Sequence, residues 1–222
     1  MGDEKCVVRS TKLCRASGSS CSPEPVRLKP GAFVEGQAQR VVDIALMILL
    51  VAGPLGAIDV IYFHLWKFRL YERPESVKEE TTHILRGILV PLVTGILLLG
   101  HPEGLWFWIV AALFAFDGFN TLLDVIFEPA SRSPRIVPPA ELAVHFLGTT
   151  MMGAAWAIFM LAGWSTRLST TAIRPRGESF IPDWAINLGY VALVGAFALV
   201  LFETSLFVRA ILRRRTLALT HT

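Results

Sequence analysis

Five stretches of the chain are apolar for long enough to cross a bilayer. They run from Val41 to Trp66, His83 to Leu99, Leu105 to Phe127, Leu142 to Trp164 and Trp184 to Ile211. The hydrocarbon core offers no water to backbone N–H and C=O groups, so a chain crosses it as helices of about 20 apolar residues. The pattern predicts an all-α fold, a polytopic membrane protein built as a bundle of five transmembrane helices over residues 41–212. Residues 1–40 mix Ser, Gly, Pro and charge without an apolar run; they read as a disordered tail with no secretory signal peptide. Residues 213–222 read as a basic C-terminal tail.

Composition narrows the class. Charged residues make up 18% and hydrophobic ones 53%, with a mean hydropathy of +0.53. A soluble domain carries about 25% charged residues, and so short a chain has too few polar helices to surround five apolar ones. The net charge of +3 is small and points to the bilayer, with no nucleic-acid partner. Trp106, Trp108, Trp164 and Trp184 fall near helix ends that share one membrane face, and Trp66 falls at the other, as interfacial rings do.

With five spans the termini lie on opposite sides. Lys67, Arg69, Arg73, Lys78, Arg132, Arg135, Arg209 and Arg213 to Arg215 fall on the side of the C-terminus, here called the near side. The far side, close to the membrane, has Arg27, Lys29, Arg40, Arg167, Arg174 and Arg176. The bias of Lys and Arg toward the cytoplasm predicts a cytoplasmic C-terminus and an N-terminus outside. The cysteines, Cys6, Cys14 and Cys21, all lie in the N-terminal tail at spacings that fit neither a zinc motif nor a disulfide framework. Gly2 is followed at position 6 by Cys, so the myristoylation pattern is incomplete.

Ionisable side chains change the picture most, because they gather at the near end of every span. Helix one ends with Asp59, Tyr62 and His64; helix two begins with Glu79, Glu80, His83 and Arg86. Helix three ends with Asp117, Asn120, Asp124 and Glu128, helix four begins with Glu141 and His145, and helix five carries Glu203. Residues three or four apart share a helix face, so Asp117, Asn120, Asp124 and Glu128 form one stripe and Glu141, His145 and Thr149 another. Ser76 and Glu79 match a capping box, and Pro138 and Pro139 suit the first turn of helix four. An acid at a helix start is ordinary, which is the simple reading of Glu79 and Glu141 taken singly.

The set is harder to explain singly. Side chains that merely reach for headgroups should be Lys and Arg, whereas these are acids and imidazoles on defined faces. Massed carboxylates need protons, salt bridges or a counter-cation, and Arg86 alone is insufficient. Carboxylate and imidazole donors without thiolate suit one or two metal ions, with iron ahead of manganese or zinc. The expected ligands are His64, His83 and His145 with Glu80, Asp124 and Glu141; Asp59 or Glu128 would bridge or support them, and Tyr62 and Arg86 would act as donors beside the metal. Glu80 and His83 have the Glu-x-x-His spacing of di-iron bundles, but Glu141 and His145 are four apart, so the likeness is one of ligand logic. Glu203 is expected to pair with a basic residue, and His101, in the far turn, is excluded. Pro54, beside Gly53 and Gly56, and Pro91 should bend helices one and two and open a cavity by the cluster. Thr149 with Gly153, and Ala192 with Ala196, have the spacing of close helix contacts.

These features point to a membrane metalloenzyme, an iron-dependent oxidoreductase taking a lipophilic small molecule from the bilayer, with an electron-transfer partner at the cytoplasmic face. The alternative is a proton- or cation-coupled transporter or channel, against which the outer halves of helices two to four stand, being almost free of polar side chains. A haem held by two histidines would leave the acids unexplained. No GxGxxG, P-loop, HExxH or GxSxG pattern occurs.

Overall fold

The computed structural model describes residues 32–131, 137–176 and 179–220. Five long helices carry the fold: α1 (Ala32–Ile58), α2 (Val77–Leu99), α3 (Leu105–Ser131), α4 (Pro139–Gly163) and α5 (Asp183–Thr220). All five are long and apolar enough to cross a membrane, which fits an integral membrane protein. The surface agrees with that reading. Leu122, Ile126, Leu161, Val191 and Leu201 are exposed while Asp59, His64, Glu79, Glu80 and Glu141 are buried, the reverse of a water-facing surface.

Helix ends depart from the apolar segments. α1 begins at Ala32, ahead of the expected Val41, and α5 continues through Arg213, Arg214 and Arg215, which were expected to form a tail. With 38 residues, α5 extends beyond a hydrocarbon core of about 30 Å at about 1.5 Å per residue. Its protruding end is tied down where Arg214 Nη2 donates to the Tyr71 carbonyl at 3.1 Å. The cysteines, Gly2, Arg27, Lys29, Arg132 and Arg135 lie outside the described residues.

α1 packs along α4, and α2 lies between α3 and α5. α2 and α5 approach closely at Gly87, where a Cβ would come within 2.6 Å of Val200 Cγ2. The far half of the bundle is closed by an apolar core that includes Leu46, Leu97, Phe107, Val110 and Phe159. The expected contact at Thr149 and Gly153 is not made: both are exposed, and a Cβ at Gly153 would meet nothing within 4 Å.

On the far side, the predicted turn after helix two is a short strand. β1 (Gly100–Glu103) pairs antiparallel with β2 (Ala172–Pro175), His101 opposite Arg174. Gly104 follows with φ 57, and a Cβ there would lie 2.5 Å from the Ser169 carbonyl oxygen, so the turn requires glycine. The strands are fastened to α1 through Asp43, which is fully buried and accepts from Arg176, from Ser179 Oγ at 2.6 Å and from Gln39 Nε2 at 3.0 Å. Arg176 also donates to the Leu97 carbonyl at the end of α2. This lock was not anticipated from sequence; its signal was an acid inside an apolar helix with arginines in the far loop.

Candidate metal centre

Helix one does not stay α-helical to its end. Residues Asp59–Lys67 form a π-helical segment, and its i→i+5 pattern closes with the Phe68 N–H donating to the Phe63 carbonyl at 2.9 Å. In an α-helix, residues five apart point about 140° away from one another; in a π-helix they share a face. Asp59 and His64 are five apart and both turn inward. Tyr62 is carried outward by the same register. It is 41% exposed and sets its ring against Phe63 and Trp66, which corrects the expectation that it donates into the cluster.

Asp59 Oδ2 is the hub of the site. It lies 2.8 Å from His145 Nε2 on α4, 3.9 Å from His83 Nδ1 on α2 and 3.9 Å from His64 Nε2. Each imidazole also turns its other nitrogen to a further carboxylate: His83 Nε2 to Asp124 at 3.1 Å, His145 Nδ1 to Glu128 at 3.5 Å and His64 Nδ1 to Glu80 at 3.8 Å. Metal-bound histidines are held in this manner, one nitrogen on the ion and the other N–H on a carboxylate. Asp124 is itself fixed by Thr82 Oγ1 at 2.6 Å, and the Thr82 carbonyl accepts from Asn120 at 2.8 Å.

The donor atoms of Asp59, His64, His83 and His145 all lie within 4.8 Å of one another. Nitrogen and oxygen ligands about 2.0–2.2 Å from one ion stand about 3–4 Å apart, so a small inward movement would let these four share a cation. Two further groups meet the same limit around His64, one with Glu80 and Glu203 and the other with Glu79 and Glu141. Both His64 nitrogens, both Glu80 oxygens and Asp59 Oδ1 are buried without a hydrogen-bond partner among the described residues. Such atoms are costly inside a membrane unless something binds them.

Glu80 and His83 therefore belong to different groups, although their spacing suggested a single ligand pair. Glu203 was expected to meet a basic residue. It is instead 1% exposed and within the group containing Glu80 and His64, because α5 packs on α2 and turns it inward. Glu79 does not close a capping box either. The Ser76 hydroxyl donates to the carbonyls of Leu70 and Arg73 at 2.5 and 3.0 Å, and the Glu79 carboxylate accepts from Ser131. Thr149 is exposed and leaves the stripe of Glu141 and His145.

Beside the cluster lies a cavity of about 510 Å³ between α1, α2, α4 and α5. Pro54 and Pro91, the two residues expected to bend the helices, line it, as do Gly56, Gly148, Ala192 and Gly195. Asp59, His83, Arg86, His145 and Glu203 are the charged or titratable side chains on its walls, whereas His64 and Glu80 are not among its lining. Arg86 Nε is 3.8 Å from Asp117 Oδ1, so the pair is ionic without a direct hydrogen bond. The chain matches no family model, no curated protein and no solved structure.

Proposed function

We propose that this chain is a membrane metalloenzyme, an iron-dependent oxidoreductase that draws a lipophilic substrate from the bilayer at the cytoplasmic face. One observation carries the reading: Asp59, His83 and His145, from three different segments, face the same apolar cavity. Two histidines and one carboxylate that leave coordination positions open are the donor set of non-haem iron enzymes, and manganese accepts similar donors. The metal would supply the redox chemistry.

The chain's own residues do the rest. Asp124 and Glu128 stand 3.1 and 3.5 Å from the His83 and His145 nitrogens that face away from Asp59, and their charge would orient the two rings. The apolar walls admit a hydrocarbon and exclude water, which strengthens the electrostatics at the polar end. Arg86, held near Asp117, offers a positive charge on the cavity wall to a polar group of the substrate. By the positive-inside bias this end would face the cytoplasm, where an electron-donating partner would meet it. A transporter would need a polar route through the far half, where Leu46, Leu97, Phe107 and Phe159 pack without exposure.

The test is elemental analysis with an absorption spectrum of the detergent-purified chain. Stoichiometric iron without a Soret band is expected, and His83→Ala and His145→Ala should each lose both metal and activity. Normal metal content in both variants refutes the assignment.

A further inference from the structure

Within the polar layer, Glu203 and Glu80 fall outside the group formed by Asp59, His64, His83 and His145. They come from α5 and α2, are 1% and 0% exposed, and approach one another at the edge of the His64 ring. Neither Glu80 oxygen has a hydrogen-bond partner among the described residues, and neither has Glu203 Oε1. Were Glu80 only an acceptor for His64, the pair would be in hydrogen-bond contact; at 3.8 Å it is not. Two carboxylates facing one another away from water repel unless a proton or a cation lies between them. A third donor, the His64 nitrogen, completes a group whose atoms all lie within 4.8 Å.

We infer a second cation position, formed by Glu80, Glu203 and His64 Nδ1, behind the first. This rests on the proposed metal centre and divides its residues in two. Asp59, His83 and His145, which line the cavity, hold the ion that meets substrate. His64 and Glu80, away from that lining, hold the other with Glu203. His64 as a neutral imidazole then carries its proton on Nε2, the nitrogen 3.9 Å from Asp59, and gives Nδ1 to the second ion. Its ring, 3.7 Å from that of His83 between centroids, separates the two positions. Glu203 touches both regions, being a wall of the cavity and a member of the buried group. An oxygen-rich set suits a divalent first-row ion such as iron or manganese, and no sulfur donor biases the site elsewhere.

The experiment is anaerobic loading of the detergent-purified full chain with ferrous iron, followed by removal of free metal, elemental analysis and a Mössbauer spectrum. Two ions per chain are expected, with two iron signals of equal area, since one position has two nitrogens and one carboxylate and the other one nitrogen and two carboxylates. Glu80→Gln and Glu203→Gln, each checked for native helix content and monodisperse elution, should bind one ion and lose the same signal. One ion in the wild-type chain, unchanged in both variants, would overturn the second position and leave the proposed centre standing. Two ions retained in both variants, or all metal lost from folded variants, would likewise overturn it. No metal in the wild-type chain would remove both readings together.

Discussion

His145 Nε2 and Asp59 Oδ2 lie 2.8 Å apart and join α4 to the π-helical segment that follows α1. The other nitrogen of the same ring faces Glu128 at 3.5 Å, so His145 is held from both sides by acids on two other segments. Its orientation is set before any ion arrives, which limits the reorganisation that binding demands.

Removing an outer acid should therefore weaken the centre without abolishing it. Asp124→Asn, at the carboxylate 3.1 Å from His83, is expected to lower metal affinity by roughly 10–100-fold. Competition with a chelator of known affinity would measure this. Unchanged affinity would mean that Asp124 has no part in holding His83.

Filling the cavity should separate substrate access from metal binding. Gly56 and Gly195 line the cavity, and a Cβ at either would meet nothing within 4 Å, so a larger side chain there starts from open space. Gly56→Leu and Gly195→Leu should retain normal metal but bind an alkyl-chain fluorescent probe roughly tenfold more weakly. Equal probe binding in both variants and the wild-type chain would show that the hydrocarbon sits elsewhere.

The far-side lock is a matter of stability. Arg176→Leu would leave the buried Asp43 carboxylate without its cationic partner, a loss expected to cost about 3–5 kcal/mol. Adding Asp43→Leu to that variant should recover part of the loss, because no buried charge is then stranded. Thermal unfolding in detergent reads both effects, and an unfolding temperature unaffected by Arg176→Leu would contradict the account.

Acid sensitivity should arise in β1 as well. His101 is buried, and desolvation pushes its imidazole below the usual 6.5; Arg174 acts in the same direction, and Glu103 and Asp43 oppose it. The unfolded chain binds this proton more readily. The stabilisation is therefore complete above about pH 6.5 and is lost as pH falls from there through the folded-state value. Between about pH 7.5 and about 5.5, the unfolding temperature of the wild-type chain should fall more than that of His101→Asn. Parallel profiles for the two proteins would assign the acid sensitivity to other groups.

Periodicity alone made part of the site legible. His83 with Arg86, and Asp117 with Asn120 and Asp124, are three or four apart on regular helices, and these do turn inward or to the cavity wall. Of Asp59, Tyr62 and His64, all expected at the cluster, Tyr62 turns away while Asp59 and His64 join it, and one feature decides between them. The i→i+5 pattern of Asp59–Lys67 admits Asp59 and His64 to the interior and expels Tyr62, and nothing in the residue types marks where an α-helix widens. Glu203 was misjudged for a different reason. Its neighbours depend on how α5 rotates against α2, set by contacts such as Val200 on Gly87 that are remote in sequence.

The sequence by itself determined that five apolar helices are long enough to cross a membrane and that acids and imidazoles collect at one end of them, because lipid leaves the backbone no other partner and tolerates such groups only where they are shielded. The tertiary structure alone decided which of these groups meet: Asp59 with three histidines, Glu203 with Glu80, and an apolar cavity against them. Helical rotation and the local change of helix type fix the direction of each side chain. Both arise from packing between segments distant in the chain, and packing leaves little trace in the order of the residues.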